Sequence, residues 1–119
     1  MVEMKAETLF SYNEEDDILL LHKANENAKG CVQIGDFIID FSADMKRAVG
    51  LEILNASRIL MNINLYLSKE QLLSIKSASL KTEHKGDAIY VYFGLVFMRN
   101  QKEEALNSLV TLARPICAF

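Results

Sequence analysis

Residues Phe37 to Leu60 read FIIDFSADMKRAVGLEILNASRIL, and the periodicity of this stretch decides the fold. Side chains of an extended chain alternate between two faces. Phe37, Ile39 and Phe41 therefore make one apolar face, and Ile38, Asp40 and Ser42 a mostly polar one. From Val49 to Leu54, Val49, Leu51 and Ile53 form the apolar set, opposed by Gly50, Glu52 and Leu54. A hairpin around the turn Asp44-Met45-Lys46-Arg47 keeps both apolar sets together only if the numbers of paired residues sum to an even value, because a slip of one residue turns Leu51 and Ile53 to water. Two registers meet this condition: Ile39 opposite Leu51, or Ile39 opposite Ile53.

The register also decides the chemistry. With Ile39 opposite Ile53, Asp40 faces Glu52 directly, and like charges at that spacing repel. With Ile39 opposite Leu51, Asp40 faces Gly50 and the repulsion weakens. Paired carboxylates serve acid/base or metal chemistry when buried together. Otherwise one is solvated and the other accepts hydrogen bonds from the chain or from Arg58, and no third ligand or nucleophile is placed beside the pair by spacing. After Leu54, Asn55 has the side chain of an N-cap, able to accept from the N–H of Ser57 or Arg58. A short helix is expected over Ala56 to Met61, with Ile59, Leu60 and Ile63 turned to the sheet.

Toward the N-terminus, Lys5 to Tyr12 alternates with Ala6, Thr8, Phe10 and Tyr12 on one side, and Asp17 to His22 is a second apolar run. The turn formers Asn13-Glu14-Glu15-Asp16 between them predict a hairpin. That acidic turn lacks the spacing and glycine of a calcium loop, so it reads as a solvated turn. Lys23 to Lys29 is a polar loop, and Cys31 to Ile34 is a short strand that Gly35-Asp36 turns into Phe37.

Toward the C-terminus, Ser68-Lys69-Glu70-Gln71 has capping-box spacing and predicts a helix from Lys69 to Lys76. Lys76 to Lys85 alternates weakly as a strand, and Lys85-Gly86-Asp87 turns the chain. Ala88 to Met98 is apolar on both faces. A strand of that kind needs cover on both sides, with the helices expected on one and a second sheet or subunit on the other. Glu104 to Ala113 fits either a helix face or a strand, and its position between a long strand and Pro115 favours a hairpin partner. Cys117 to Phe119 is a short apolar tail, expected to pack on the surface or on a partner.

Composition bounds the rest. A chain of 119 residues, half of them apolar and 24% charged, suits one globular domain over residues 1–119 with a core of its own. A net charge of −3 gives no general pull on phosphate backbones, so nucleic acid is not an expected ligand. The longest apolar run, the eleven residues from Ala88 to Met98, is too short to cross a bilayer as a helix. The N-terminus MVEMKAETLF has no apolar segment of signal-peptide type, and a soluble cytoplasmic protein without membrane contact is expected. Cys31 and Cys117 lack metal or redox spacing and read as reduced thiols, although a bridge between them stays open. His22 and His84 have no nucleophile partner at a recognisable spacing, and there is no phosphate-cradling glycine loop. No catalytic residue, metal site or cofactor is indicated.

The block from Tyr12 to Leu60 resembles an uncharacterised family of small bacterial and archaeal domains, a domain of unknown function numbered twenty-two eighty-three. Its pattern opens Y-x-x-x-x-D-x-L and ends D-x-x-G-x-x-V-G-I-E-I-L-x-A-S. Tyr12, Asp17, Leu19, Asp40, Val49, Gly50, Glu52, Ile53, Leu54, Ala56 and Ser57 match it, while the glycine usual in the hairpin turn is missing here. The resemblance covers under half the chain and implies no enzymatic activity. Some members look like halves of two-component operons of toxin–antitoxin type, which implies a protein-binding module.

The expected architecture is α+β: an antiparallel sheet, a meander of hairpins, with two short helices between an N-terminal and a C-terminal β-block. Two functions are carried forward. One is a non-enzymatic interaction module, a homodimer or a binder of a partner protein from a neighbouring gene, using Ala88 to Met98 or the tail. The other is a small-ligand or metal-binding domain with Asp40, Glu52 and His22 as its polar groups.

Overall fold

A computed structural model of the chain describes residues 7–113, so the apolar tail and any bridge to Cys117 lie outside the described residues. Eight strands and two helical turns follow in order: β1 (Thr8–Asn13), β2 (Ile18–Lys23), β3 (Gly30–Ile34), β4 (Phe37–Phe41), β5 (Ala48–Ile53), α1 (Ala56–Met61), α2 (Lys69–Leu72), β6 (Ile75–Lys85), β7 (Ala88–Arg99) and β8 (Lys102–Ala113). The fold is sheet-dominated, and all of its strand pairs are antiparallel.

The first five strands form one sheet in the order β1-β2-β5-β4-β3, and the last three form a second in the order β6-β7-β8. The N-terminal block is therefore not the expected simple meander. The loop after β2 carries the chain to the far edge, and β5 returns to fill the gap between β2 and β4. In this placement Leu19 pairs with Ile53 and Leu21 with Leu51, and all four are buried, so β5 extends the greasy face of β2 without a break.

The hairpin of β4 and β5 takes the register with Ile39 opposite Leu51 and Asp40 opposite Gly50. Between Asp40 and Phe41 the register shifts, and Phe41 pairs with Ala48. Val49, assigned by parity to the same face as Leu51, is thus the extra residue of a β-bulge. A bulge restores the inward direction of Phe41 and Ala48 after an interruption in the alternation.

The helix α1 has its expected limits but not its expected cap. Asn55 has φ of 51° and ψ of 45° and makes no side-chain cap bond, because a left-handed cap residue points its side chain away from the first turn. Asp17 supplies the cap from 40 residues away. The second helix is a single turn, Lys69–Leu72, rather than a run to Lys76. The Ser74 hydroxyl lies 2.7 Å from the carbonyl of Gln71 and 3.1 Å from that of Met98 in β7, which ends the helix and starts β6 at Ile75. In the ambiguous C-terminal segment the strand reading holds. Asn100 and Gln101 both have positive φ, the signature of the type I′ turn that matches the twist of a two-residue hairpin.

The two sheets pack face to face on one cluster of buried residues that draws on both: Leu21, Ile39, Phe41 and Leu51 from the first, Val91, Phe93, Leu95 and Leu106 from the second. The rings of Phe37 and Phe93 meet 6.1 Å apart between centroids. The N–H of Ala48 donates to the Thr82 hydroxyl at 2.9 Å and so ties β5 to β6. The inner face of β7 is covered by the five-stranded sheet, where Phe93 meets Phe37, and by α2, which touches the strand and adds Leu72 to the same buried cluster, so the expected helix and sheet cover share one side.

Candidate functional site

The outer faces of the two sheets carry the exposed chemistry. On the five-stranded sheet, one row runs Leu9, His22, Gly50, Asp40 and Cys31 across the strands, and the next runs Ser11, Leu20, Glu52, Ile38 and Gln33. The sequence-predicted trio His22, Asp40 and Glu52 thus shares one face around Gly50. Asp40 does not face Glu52; it lies over Gly50, where a Cβ would meet its Oδ2 at 2.9 Å. His22 and Asp40 sit on strands either side of β5, about 10 Å apart at two inter-strand spacings. Among the described residues no group of three His, Cys, Asp or Glu side chains could hold a metal ion. His22 is exposed, and Asp40 and Glu52 are half-buried. His84, the other histidine, stands at the end of β6 with its Nε2 against the carbonyl oxygen of Lys46.

One polar constellation escaped the sequence reading. The Tyr12 hydroxyl donates to Asp17 Oδ1 at 2.6 Å, the Ser57 N–H donates to the same oxygen at 3.0 Å, and the Ser57 hydroxyl donates to Oδ2 at 2.8 Å. The Asp17 carbonyl accepts from Ala56 N–H at 2.9 Å. Burial works to raise the Asp17 carboxyl, but the bonds from Tyr12 and Ser57 outweigh it and hold Asp17 below the usual carboxylate range. Burial, and then the bond to this anion, push the Tyr12 hydroxyl well above its ordinary value. With both oxygens engaged, Asp17 is a structural clamp rather than a ligand group. The spacing Tyr12 to Asp17 and the Ala56-Ser57 pair were visible in the sequence, but their meeting is not local.

On the three-stranded sheet the outer face shows Tyr90, Tyr92, Gly94, Val96 and Met98 from β7, flanked by Lys81 and Glu83 of β6 and by Leu109 of β8. Tyr90 and Tyr92 stack at 6.4 Å between centroids, and Leu109 is 44% exposed. Lys81 and Lys85 both pair with Glu83. An open groove of about 630 Å³ runs beside Tyr92, lined among others by Lys81, Asn107 and Leu109. Gly94 lines a separate, smaller hollow on the same sheet, and there a Cβ would meet Ser79 Oγ at 2.6 Å and Asn107 Oδ1 at 2.7 Å. No described element covers this face. Among the described residues, no helix is long and apolar enough to cross a membrane.

Comparison with known proteins returned an uncharacterized protein, MJ0789, of Methanocaldococcus jannaschii. It is 32% identical over 99 residues, covering 83% of this chain and 81% of that protein. No family model matches the chain, and no solved structure matches it.

Proposed function

The chain belongs to the family of the uncharacterized Methanocaldococcus jannaschii protein, and from its own surfaces we propose that it is a non-enzymatic protein-interaction module. It docks a partner protein or a second copy through the three-stranded sheet. The observation that carries this reading is the uncovered outer face of β7, where stacked Tyr90 and Tyr92, Val96 and the exposed Leu109 form an apolar strip rimmed by charge. Aromatic side chains in a flat, partly exposed patch are the groups that dominate docking energies, with a polar rim excluding water around them. The protein acts in the cytoplasm in this reading, with no nucleic-acid or membrane partner. Sedimentation velocity over a wide concentration range, together with affinity capture from the source cells, tests it by comparing wild type with Tyr92→Ser. Association lost in the variant supports the reading. A wild type that stays monomeric and captures nothing that the variant loses removes it.

A second reading places a small polar ligand on the other sheet, between Asp40, Glu52 and His22, because the Cβ-less position at Gly50 leaves a shallow floor among them. Thermal shifts with divalent cations and small cationic ligands, read against Glu52→Gln, test it; a wild type that no such ligand stabilises rules it out. The Tyr12 to Leu60 match to the domain of unknown function is kept as a proposal as well. The hydrogen bonds joining Tyr12, Asp17 and Ser57 support it, since they give the matched positions one structural role.

A further inference from the structure

The edge of β8 points to a specific self-association. Strand edges present unpaired N–H and C=O groups, and proteins blunt them with short strands, charges, proline or cover. Three of the four edges here are blunted. β1 and β3 are only six and five residues long, and β6 carries Lys76, Lys81, Glu83 and Lys85 while lying along the five-stranded sheet. The fourth, β8, has twelve residues. Its charges stop at Glu104, and Ala105 to Ala113 reads ALNSLVTLA with neither charge nor proline. Among the described residues, its backbone pairs only with β7.

The free groups of this edge follow from the hairpin. Arg99 and Lys102 flank the type I′ turn at Asn100-Gln101 and exchange both backbone bonds, so even-numbered residues of β8 bond to β7 and odd-numbered ones face outward. Residues 105, 107, 109, 111 and 113 therefore offer their N–H and C=O groups to a further strand.

Resting on the interaction-module reading, we propose that two copies of this chain pair antiparallel through β8, with the two-fold axis at Leu109, to form a continuous six-stranded sheet. The register is chosen by the sequence of the edge. The segment ALNSLVTLA is nearly its own reverse about Leu109: Ala105 meets Ala113, Leu106 meets Leu112, Asn107 meets Thr111 and Ser108 meets Val110. Each pair falls on the same side of the sheet, and all but Ser108 with Val110 match closely in size. About ten backbone bonds close, two at each of the five outward positions. Shifting the axis to Ser108 sets Glu104 against Leu112, and to Asn107 sets Glu104 against Val110 and Lys102 against Leu112, burying charge on apolar residues, while shifting it to Val110 or Thr111 shortens the uncharged pairing. The exposed Leu109 side chains meet at the axis, which extends the apolar strip of the outer face across both copies.

Light scattering and cysteine cross-linking test the pairing. Wild type is expected to be a dimer. Leu109→Lys, at an exposed position, and Thr111→Pro, which removes an outward N–H, are expected to be folded monomers by circular dichroism. With Cys31 and Cys117 replaced by Ser, Leu109→Cys is expected to form a disulfide-linked dimer under mild oxidation, because residues at the axis lie about 5.5 Å apart at Cα, within disulfide reach. Thr111→Cys alone stays unlinked, since its symmetry mate is about 14 Å away along the strand, and links only when mixed with Asn107→Cys. A wild-type monomer overturns the pairing and leaves the interaction reading with a different partner protein. A dimer that survives Leu109→Lys but dissociates with Tyr92→Ser overturns the edge pairing alone. Cross-linking by Thr111→Cys in place of Leu109→Cys overturns the register and with it the proposal.

Discussion

The two sheets share a core and differ in everything that faces away from it. The five-stranded sheet ends in short strands, and its chain is held by long-range polar bonds, with Asp17 clamping α1 and Arg47 forking onto Glu26 at 3.0 and 3.1 Å. The three-stranded sheet is built from strands of eleven and twelve residues, leaves stacked tyrosines half-buried on its outer face and ends in an edge without charge from Ala105 to Ala113. The first is closed by contacts within the chain, whereas among the described residues the outer face and outer edge of the second are left without cover. Long strands bring many inward residues to the common core, and the same length creates an outer face and an edge that no described element covers.

What the two sheets have in common is their shared core. Phe93 is 2% exposed and its ring meets Phe37 across the interface. Phe93→Ala is expected to cost about 3–5 kcal/mol through lost burial and a residual cavity, a large share of the stability of a small domain. Urea unfolding followed by far-ultraviolet circular dichroism and by tyrosine fluorescence checks this. One coincident transition, shifted to lower urea, is expected for both sheets; two separated transitions would show that they are stabilised independently.

Much of this division was legible in the residues. Parity alone reduced the β4–β5 hairpin to two registers, and the repulsion of Asp40 by Glu52 distinguished them physically; the observed pairing is the one that separates the carboxylates. The apolar character of Ala88 to Met98 on both faces marked the strand that now lies between the core and the open face. What was not legible depends on contacts distant in sequence. The insertion of β5 beside β2 has no local signal, because a meander and this order bury the same alternating faces. The cap of α1 was assigned to Asn55 on its chemistry, yet a positive φ at Asn55 and a carboxylate 40 residues away decide it. The bulge at Val49 hides in an unbroken alternation. The trio His22, Asp40 and Glu52 was gathered on one face, but the strand spacing that keeps the three apart follows only from the order of the sheet.

Removing the clamp breaks bonds that only the first sheet and α1 make. Asp17→Ala leaves the α1 N-terminus uncapped and the Tyr12 hydroxyl without its acceptor, and is expected to cost about 1–3 kcal/mol. The pH dependence has a definite sign. The Asp17 carboxyl is lower in the folded chain than in the unfolded one, so its contribution is present above the ordinary carboxylate value, near pH 4, and is lost as pH falls through the folded value. Tyr12 is raised by burial and by the anion, so its contribution holds below about pH 10 and is lost as pH rises beyond that. Thermal melts from pH 3 to 11 should show wild type losing more stability than Asp17→Ala at both ends. Parallel curves for the two proteins would mean that the clamp contributes nothing beyond packing.

Two glycines, Gly50 and Gly94, stand one on each outer face. Gly50 lies under a single carboxylate, 2.9 Å from where a Cβ would sit, whereas Gly94 lies between two polar side chains at 2.6 and 2.7 Å. Alanine gains from the lower entropy of its unfolded state, by about 0.5–1 kcal/mol, and loses where neighbours must move aside. Since Asp40 can swing out to water, the two effects should nearly cancel for Gly50→Ala. For Gly94→Ala two side chains in the middle of a sheet must turn at once, so a net loss of about 1 kcal/mol is expected. Substituting Ser79→Ala and Asn107→Ala beforehand removes both obstructing atoms, and in that background Gly94→Ala should become neutral or stabilising in chemical denaturation. A loss that persists there would place the constraint in the backbone of β7 rather than in the side chains that lean over it.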